Sequence, residues 1–335
     1  MKFLMAEIPQ LTDLTLEITN ACNLRCRCCG IWKERKARSL SLSAIEYIVS
    51  VLLKKIKINS VALTGGEPFL HPQVDGIFKF FHILKLKKLV RAIGIYSNGF
   101  DHSRIVSFLE KHGDMLKGVS LGISLDGRKA HHDDLRGRPG AFDASMKTVD
   151  YVVQRCGGLL KPAIKFTINR RNYGDLFALY LLAKSRGFRF MPKLAEFGAK
   201  AYYHRVSSRA AGLDWDDPCV KPEIIRQLRA IALDAKSSGT PAVDVRILSS
   251  LERIVRLGMS AITTCRTPGN FLFITCAGAI YPCLYMPPVS SIGTHFLKDI
   301  YGPEHQERIR MGLQGRCPRC YAYHGFLKTI NLKEV

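Results

Sequence analysis

Four cysteines stand within eight consecutive residues near the start of the chain. The stretch CNLRCRCC covers residues 22–29, and Cys22, Cys26 and Cys29 have the spacing C-x3-C-x2-C. Three thiolates from one loop can ligate three irons of a [4Fe–4S] cluster and leave the fourth iron without a protein ligand. Because a small molecule can then chelate that iron, the loop predicts a cluster with one open coordination position. Cys28 is the cysteine left over.

A structural zinc knuckle is the alternative interpretation of this loop. Structural zinc takes four ligands, usually as two separated pairs of residues. No second pair lies nearby in the sequence. The spacing therefore favours the cluster.

The distribution of the eleven cysteines indicates metal chemistry rather than a disulfide framework. Apart from the four in the loop, five lie in residues 265–320, while Cys156 and Cys219 stand alone and are expected to be buried thiols. The N-terminal apolar run is too short for a signal peptide. The uncharged stretch 271–289 contains three prolines, which exclude a continuous membrane helix. We expect a cytoplasmic protein.

The chain is strongly basic, with a net charge of +22. Such a charge requires that an anionic partner be considered. The lysines and arginines are scattered in small groups, however, as in 33–38, 85–91 and 308–319. This distribution is more typical of solvated surfaces than of a nucleic-acid interface.

Strand and helix patterns alternate through the first two-thirds of the sequence. Six strands each followed by a crossover helix predict a parallel α/β sheet, a partial (β/α)6 TIM-like barrel. The first helix is predicted to begin at Ser43, with Glu46 completing a capping box, and another helix is expected over 222–238. The predicted strands are 14–18, 60–63, 92–96, 119–125, 163–168 and 188–194.

Four unusual segments follow the predicted strands. They are the cysteine loop, TGGEP (64–68), SNG (97–99) and SLDG (124–127). In barrel-like sheets the loops after the carboxyl ends of the strands carry the chemistry. The four segments are therefore expected to meet at one rim.

The chain resembles the radical S-adenosylmethionine (SAM) superfamily over residues 12 to about 195. The resemblance rests on the cysteine spacing, the motif CNLRC (22–26) and the GGEP turn one βα unit later. The resemblance implies that the methionine amino and carboxylate groups of SAM bind the open iron. Reduction of the cluster then cleaves SAM to a 5′-deoxyadenosyl radical, which abstracts hydrogen from the substrate. A low-potential electron donor such as a flavodoxin or ferredoxin is implied as a partner.

The resemblance also implies a set of cofactor-binding residues. The GGEP backbone meets the methionine amino group, with Glu67 fixing the turn, while Ser124 and Arg136, twelve residues apart, contact the ribose and the methionine carboxylate. A guanidinium suits a carboxylate, although Arg136 also fits a surface salt bridge. Asn98 is a weaker candidate that equally fits a turn before Gly99. The predicted cofactor-binding residues are Gly65, Gly66, Glu67, Asn98, Ser124, Asp126 and Arg136.

A second group of cysteines lies near the end of the chain. Cys265, Gly278 and Cys283 resemble the opening of the SPASM extension, but only Cys317 and Cys320 follow, fewer than a complete extension has. The resemblance implies a truncated, twitch-like module in which Cys265, Cys283, Cys317 and Cys320 hold one further [4Fe–4S] cluster. The same four thiols also suit zinc, and Cys276 is a rival ligand.

We therefore expect two domains, a radical SAM core over 1–215 and a cysteine-rich extension over 216–335. The leading hypothesis is a radical SAM enzyme that acts on a peptide or another natural-product precursor. Alternatives are a radical SAM enzyme acting on a sugar, tetrapyrrole or nucleic acid, and a non-catalytic iron–sulfur or zinc protein. No catalytic acid or base stands apart from its background in the sequence.

The cysteine spacing makes a direct prediction about ligand register. We expect Cys28→Ala to retain the loop's cluster and Cys29→Ala to lose it, because only Cys29 completes the C-x3-C-x2-C spacing. Iron and sulfide content after anaerobic reconstitution checks this. The opposite result would shift the register by one residue.

Overall fold

The computed structural model describes residues 13–195, 212–258, 262–265, 267–293, 296–300, 302–314 and 330–332. Six parallel strands, joined by helices, form the main body of the described chain. The strands are β1 (Asp13–Thr19), β2 (Ile58–Gly65), β3 (Val90–Ser97), β4 (Ser120–Ser124), β5 (Lys161–Ile168) and β6 (Arg189–Leu194). The helices between them are α1 (Leu42–Leu53), α2 (Val74–Leu86), α3 (His102–His112), α4 (Lys129–Arg136), α5 (Ala141–Arg155) and α6 (Leu176–Ser185).

The six strands pair in chain order, and every neighbouring pair is parallel. β6 forms one edge of the sheet, so the sheet does not close into a barrel. The predicted partial TIM-like architecture is confirmed. Parallel pairing also brings the carboxyl ends of all six strands to one rim.

Helix α1 shows how local sequence sets an element boundary. Ile45, Ile48, Val49 and Leu52 are buried at helical spacing. The helix begins earlier than predicted, because the hydroxyl of Ser41, not that of Ser43, caps it by accepting a hydrogen bond from Ala44 N at 3.1 Å. The prediction of Ser43 as the start is wrong by two residues at the cap.

The two faces of β1 have different environments. Leu14, Leu16 and Ile18 are fully buried in the main hydrophobic core. Because side chains alternate along a strand, Glu17 and Thr19 project to the opposite face of the sheet. That face therefore carries polar groups next to the cysteine loop.

The chain after residue 215 contains more structure than the helix and cysteine-bearing tail expected from sequence. Strand β8 pairs in parallel with β1, and the whole sheet has the order β10-β9-β8-β1-β2-β3-β4-β5-β6. The predicted boundary at residue 215 stays a prediction. The described elements are α7 (Lys221–Ser237), α8 (Val245–Leu257), β7 (Ile262–Cys265), α9 (Thr267–Asn270), β8 (Phe271–Ile274), β9 (Ala279–Tyr281), β10 (Ser290–Ser291), α10 (Phe296–Ile300), α11 (Pro303–Leu313) and β11 (Ile330–Leu332).

Among the residues described, no helix combines the length and the apolar character needed to cross a membrane.

Candidate active site

The cysteine loop follows β1 at the rim, and Asn20 at its start fixes its two ends to each other. Asn20 donates from Nδ2 to Lys36 O at 2.9 Å and accepts from Arg38 N at 2.7 Å, which ties the far end of the loop to its start. Leu24 and Cys26 are buried against Ala141 of α5. The other three cysteines of the loop pack on this small apolar cluster. All four thiols thus share one site.

Burial keeps these thiols protonated when no metal is bound. It raises the pKa of Cys22 to about 11 and that of Cys28 to about 12, and it raises the pKa of Cys26 and Cys29 as well. Iron binds the thiolate, so metal binding would release these protons. The positive charge of the iron would then stabilise the buried thiolates. The donor set therefore suits a cluster.

The thiols of Cys28 and Cys29 have different neighbours. After burial, Cys26 is the next cause of the raised pKa of both thiols. Cys28 and Cys22 contribute further to that of Cys29, whereas Cys28 is influenced by Asp126, Arg136 and Lys193. Cys29 thus has both other predicted ligands as neighbours. Within the described residues, no group of three or more His, Cys, Asp or Glu side chains is arranged so that it could hold a metal ion.

The GGEP turn contacts the backbone of the cysteine loop. Gly66 N donates to Thr19 O at 2.8 Å, and Glu67 N donates to Ala21 O at 2.8 Å. A Cβ on Gly65 would lie 2.1 Å from Thr19 O, and one on Gly66 would lie 2.2 Å from Ala21 O. Sequence analysis attributed the two glycines to ligand approach, and the structure gives a further reason, the contact with the loop's own backbone.

Glu67 joins this turn to the end of β3. Its buried carboxylate accepts from Ser97 Oγ at 2.9 Å, from Asn98 N at 2.8 Å and from Phe69 N at 3.2 Å. Burial raises the pKa of Glu67 to about 7, against the lowering effect of these three donors. The role expected for Glu67, that of fixing the turn, agrees with these contacts.

Asn98 has the turn role considered from sequence, and its role in cofactor binding stays a prediction. Its Oδ1 accepts from Phe100 N at 2.8 Å, which is the turn interaction. Its Nδ2 donates to Asn23 Oδ1 at 2.8 Å and lies 4.0 Å from Cys22 Sγ. Asn98 thus also contacts the cysteine loop.

Asp126 and Arg136 form a buried ion pair beside Cys26. Arg136 Nη2 lies 2.7 Å from Asp126 Oδ2, with 11% and 3% of the two side chains exposed. The other carboxylate oxygen of Asp126 accepts from Thr167 N at 2.8 Å. Arg136 Nη1 lies 3.8 Å from Cys26 Sγ. Arg136 is therefore inside the site rather than in a surface salt bridge.

One donor of Arg136 is left for a ligand. Its Nε is buried, and no described residue accepts a hydrogen bond from it. A buried unpaired donor of a charged group is costly unless an acceptor meets it. Ser124, half-buried, ends β4 two residues before Asp126. An anionic group such as the SAM carboxylate fits this arrangement.

Helix α4, which the sequence analysis missed, places Arg136. The cysteine loop pairs with the end of this helix through Arg25 N to Arg136 O at 3.2 Å and Arg27 N to Leu135 O at 2.9 Å. Gly137 ends the helix in the left-handed conformation. The sequence signal was present in Arg136-Gly137, a basic last turn followed by a C-terminal glycine.

The start of α4 is anchored by a fully buried carboxylate. Asp175 accepts from Arg128 N at 2.9 Å, from Arg128 Nε at 2.7 Å and from His131 Nδ1 at 2.6 Å. These hydrogen bonds lower the pKa of Asp175 against the effect of burial. Asn172 adds a bond to Asp126 O at 2.8 Å. The loop after β5 thus helps to position Asp126, the carboxylate of the ion pair with Arg136.

The C-terminal cysteines are only partly described. Cys265 ends β7, half-buried, and Cys283 follows β9, buried. Cys317 and Cys320 lie outside the described residues. The four-cysteine site therefore stays a prediction. Of the two isolated cysteines, Cys156 is buried as expected, but Cys219 is exposed, so that expectation is wrong for Cys219.

Cys276 lies beside the carboxylate of Glu17, which the sequence analysis overlooked. It occupies the turn between β8 and β9, and its N–H donates to Glu17 Oε1 at 3.2 Å. Burial raises the pKa of Glu17 to about 7. Glu17 occupies a polar position in the alternating stretch LTLEI (14–18), so the sequence did not mark it as buried.

Comparison with known proteins agrees with this site. Residues 16–158 match the model of the radical SAM superfamily. The sporulation killing factor maturation protein SkfB of Bacillus subtilis is 32% identical over 165 residues, 48% of this chain and 37% of SkfB. The chain therefore covers little more than a third of the length of SkfB.

Two further similarities extend over nearly the whole chain. The antilisterial bacteriocin subtilosin biosynthesis protein AlbA of Bacillus subtilis is 24% identical over 347 residues, 97% of this chain and 69% of AlbA. The structure of Streptococcus suis SuiB bound to the precursor peptide SuiA superposes with a TM-score of 0.66 at 17% identity, covering 92% of this chain and 70% of that one. SuiB shares the fold.

The fold, the cysteine loop and the superfamily match together define a radical SAM domain. The superfamily match covers residues 16–158, the part of the chain that holds the cysteine loop, the GGEP turn and the Asp126–Arg136 pair. The predicted resemblance to the radical SAM superfamily is thereby confirmed for residues 16–158.

The contact between the GGEP turn and the cysteine loop predicts that an added methyl group on Gly66 is destabilising. Gly66→Ala should destabilise the protein by about 1–3 kcal/mol and lower iron incorporation, because a Cβ would meet the Ala21 carbonyl. Urea unfolding and iron analysis after reconstitution measure both effects. Gly174→Ala, where an added Cβ meets nothing within 4 Å, is the matched control and should stay within about 1 kcal/mol of wild type.

The raised pKa of Glu17 predicts that the stability of the protein depends on pH. A folded pKa near 7 lies above the ordinary value of 4.5, so the folded state binds more protons between these two values. The contribution of Glu17 to stability should therefore fall as pH rises from about 4.5 to 7, by about 3 kcal/mol at most, and level off above. Urea unfolding of Glu17→Gln should show a smaller decline than wild type, because buried Glu67, whose pKa is also raised to about 7, keeps a decline of its own, whereas exposed Glu46→Gln should match wild type. Parallel profiles for wild type and Glu17→Gln would contradict the prediction.

Proposed function

We propose that this protein is a radical SAM enzyme that abstracts hydrogen from a peptide precursor. In this proposal Cys22, Cys26 and Cys29 hold the cluster, and the unpaired Nε of Arg136 receives the carboxylate of SAM. When bound, the cluster supplies the electron that cleaves SAM to a 5′-deoxyadenosyl radical. The observation that carries the proposal is the convergence of the cysteine loop, the GGEP turn and the Asp126–Arg136 pair at one rim.

The chain's own residues would bind, orient and shield the reactants. Gly65 and Gly66 hold the turn against the cysteine loop, and Glu67 fixes that turn to the end of β3. Asp126 orients the guanidinium of Arg136, while Ser124 offers a hydroxyl at the end of β4. Burial of these groups removes water that would weaken their electrostatic interactions.

The peptide substrate is supported by the names of two relatives. SkfB is named for the maturation of a sporulation killing factor, and AlbA for the biosynthesis of a bacteriocin. AlbA aligns with 97% of this chain, so the similarity includes the region beyond the superfamily match. Peptide modification is the substrate class that these two names favour.

The test begins with cleavage of SAM. The protein is reconstituted anaerobically with iron and sulfide, reduced with dithionite and given SAM, and 5′-deoxyadenosine is measured by mass spectrometry. Wild type and Cys219→Ala, which alters an exposed thiol away from the loop, should form it. Cys26→Ala should not, because it removes a predicted cluster ligand. A wild-type protein with a full iron content and no 5′-deoxyadenosine would refute the reaction.

The substrate class needs a second measurement. Precursor peptides encoded beside the gene are synthesised with deuterium at candidate positions, and transfer of deuterium into 5′-deoxyadenosine is followed. Transfer from a peptide supports the proposal. Transfer from a sugar or tetrapyrrole but from none of the peptides would replace the peptide with that class.

A further inference from the structure

Two side-chain N–H groups point at sulfur atoms of the cysteine loop. Arg136 Nη1 lies 3.8 Å from Cys26 Sγ, and Asn98 Nδ2 lies 4.0 Å from Cys22 Sγ. Both cysteines are predicted cluster ligands. We propose that Arg136 and Asn98 donate hydrogen bonds to the ligand sulfurs and thereby raise the reduction potential of the cluster. The inference rests on the proposed function, since it requires the cluster in this loop.

The orientation of the Asn98 amide follows from its neighbours. Its Oδ1 accepts from the backbone N–H of Phe100, a group that can only donate. The NH2 group must therefore be the one directed at Asn23 Oδ1 and Cys22 Sγ. Glu67 holds the backbone of the same residue, so the donor is fixed in place.

The Arg136 guanidinium divides its donors among three directions. Nη2 pairs with Asp126, Nη1 faces Cys26, and Nε is left for a ligand. A guanidinium carries five N–H donors in a rigid fork, so contact with the sulfur does not compete with contact to the carboxylate of SAM. Arg136 can therefore serve the cluster and SAM together.

The direction of the effect follows from charge. Reduction adds negative charge to the cluster and its sulfur ligands, and hydrogen bonds to those sulfurs stabilise the reduced form. Arg136 brings a positive charge and Asn98 a neutral dipole, and both side chains are nearly buried, so water screens them little. Asp126 offsets part of the charge of Arg136.

The experiment measures the midpoint potential of the cluster without SAM. Wild type, Arg136→Lys and Asn98→Asp are reconstituted, their iron and sulfide are counted, and redox titrations are read by electron paramagnetic resonance. The relevant signal is the one that changes when SAM is added to a parallel sample. Asn98→Asp keeps the acceptor for Phe100 N and removes the donor, while Arg136→Lys keeps the charge and removes the fork.

Both variants should shift the midpoint to a more negative potential. Arg27→Gln, which removes an exposed positive charge from the same loop without contact to sulfur, should leave it unchanged. Normal cluster content with an unshifted midpoint in both variants would overturn the inference while leaving the proposed function intact. A wild-type loop that binds no cluster would instead refute the proposed function.

A second measurement covers the case in which a variant loses its cluster. The reduced wild-type cluster is examined by electron–nuclear double resonance in H2O and D2O. Exchangeable N–H protons coupled to the cluster, altered in Asn98→Asp or Arg136→Lys, support the inference. If wild type shows no exchangeable coupling, the inference is overturned whatever the variants do.

Discussion

The site depends on one backbone contact, the approach of the GGEP turn to the residues that leave β1. Two hydrogen bonds join Gly66 and Glu67 to Thr19 and Ala21, and neither glycine has room for a side chain. This contact sets the distance between the cysteine loop and the loop that follows β2. Glu67 then extends the connection to β3, and the Asp126–Arg136 pair extends it to β4 and α4. Four successive βα units, those of β1 to β4, are thus held together by polar contacts at their carboxyl ends.

Much of the fold could be predicted from the sequence because the strands are marked by apolar runs and the rim loops by unusual residues. All six predicted strands occur, displaced by a few residues at their ends. The cysteine loop was identified from its spacing, whereas Glu67 and Arg136 were identified from the resemblance to a known family. The structure adds where these groups stand relative to one another.

The features that the sequence did not reveal were missed for physical reasons. Helix α4 is short and polar, so periodicity gave it no signal, although its glycine cap did. Glu17 lies in a strand whose other side is apolar, and its position beside Cys276 depends on β8, which is remote in sequence and joins β1 only in the folded chain. The cap of α1 was misplaced because Ser41 and Ser43 both suit an N-cap, and the backbone conformation alone decides between them.

The pairing of β8 with β1 means that β1 is an inner strand, although it is the first strand of the described chain. A fragment that begins with β1 and ends before β8 would turn β1 into an open edge, with unpaired backbone groups along Leu14 and Leu16. Such an edge invites pairing with other chains. The strand that leads into the cysteine loop is therefore protected from self-association by a segment more than two hundred and fifty residues away in sequence.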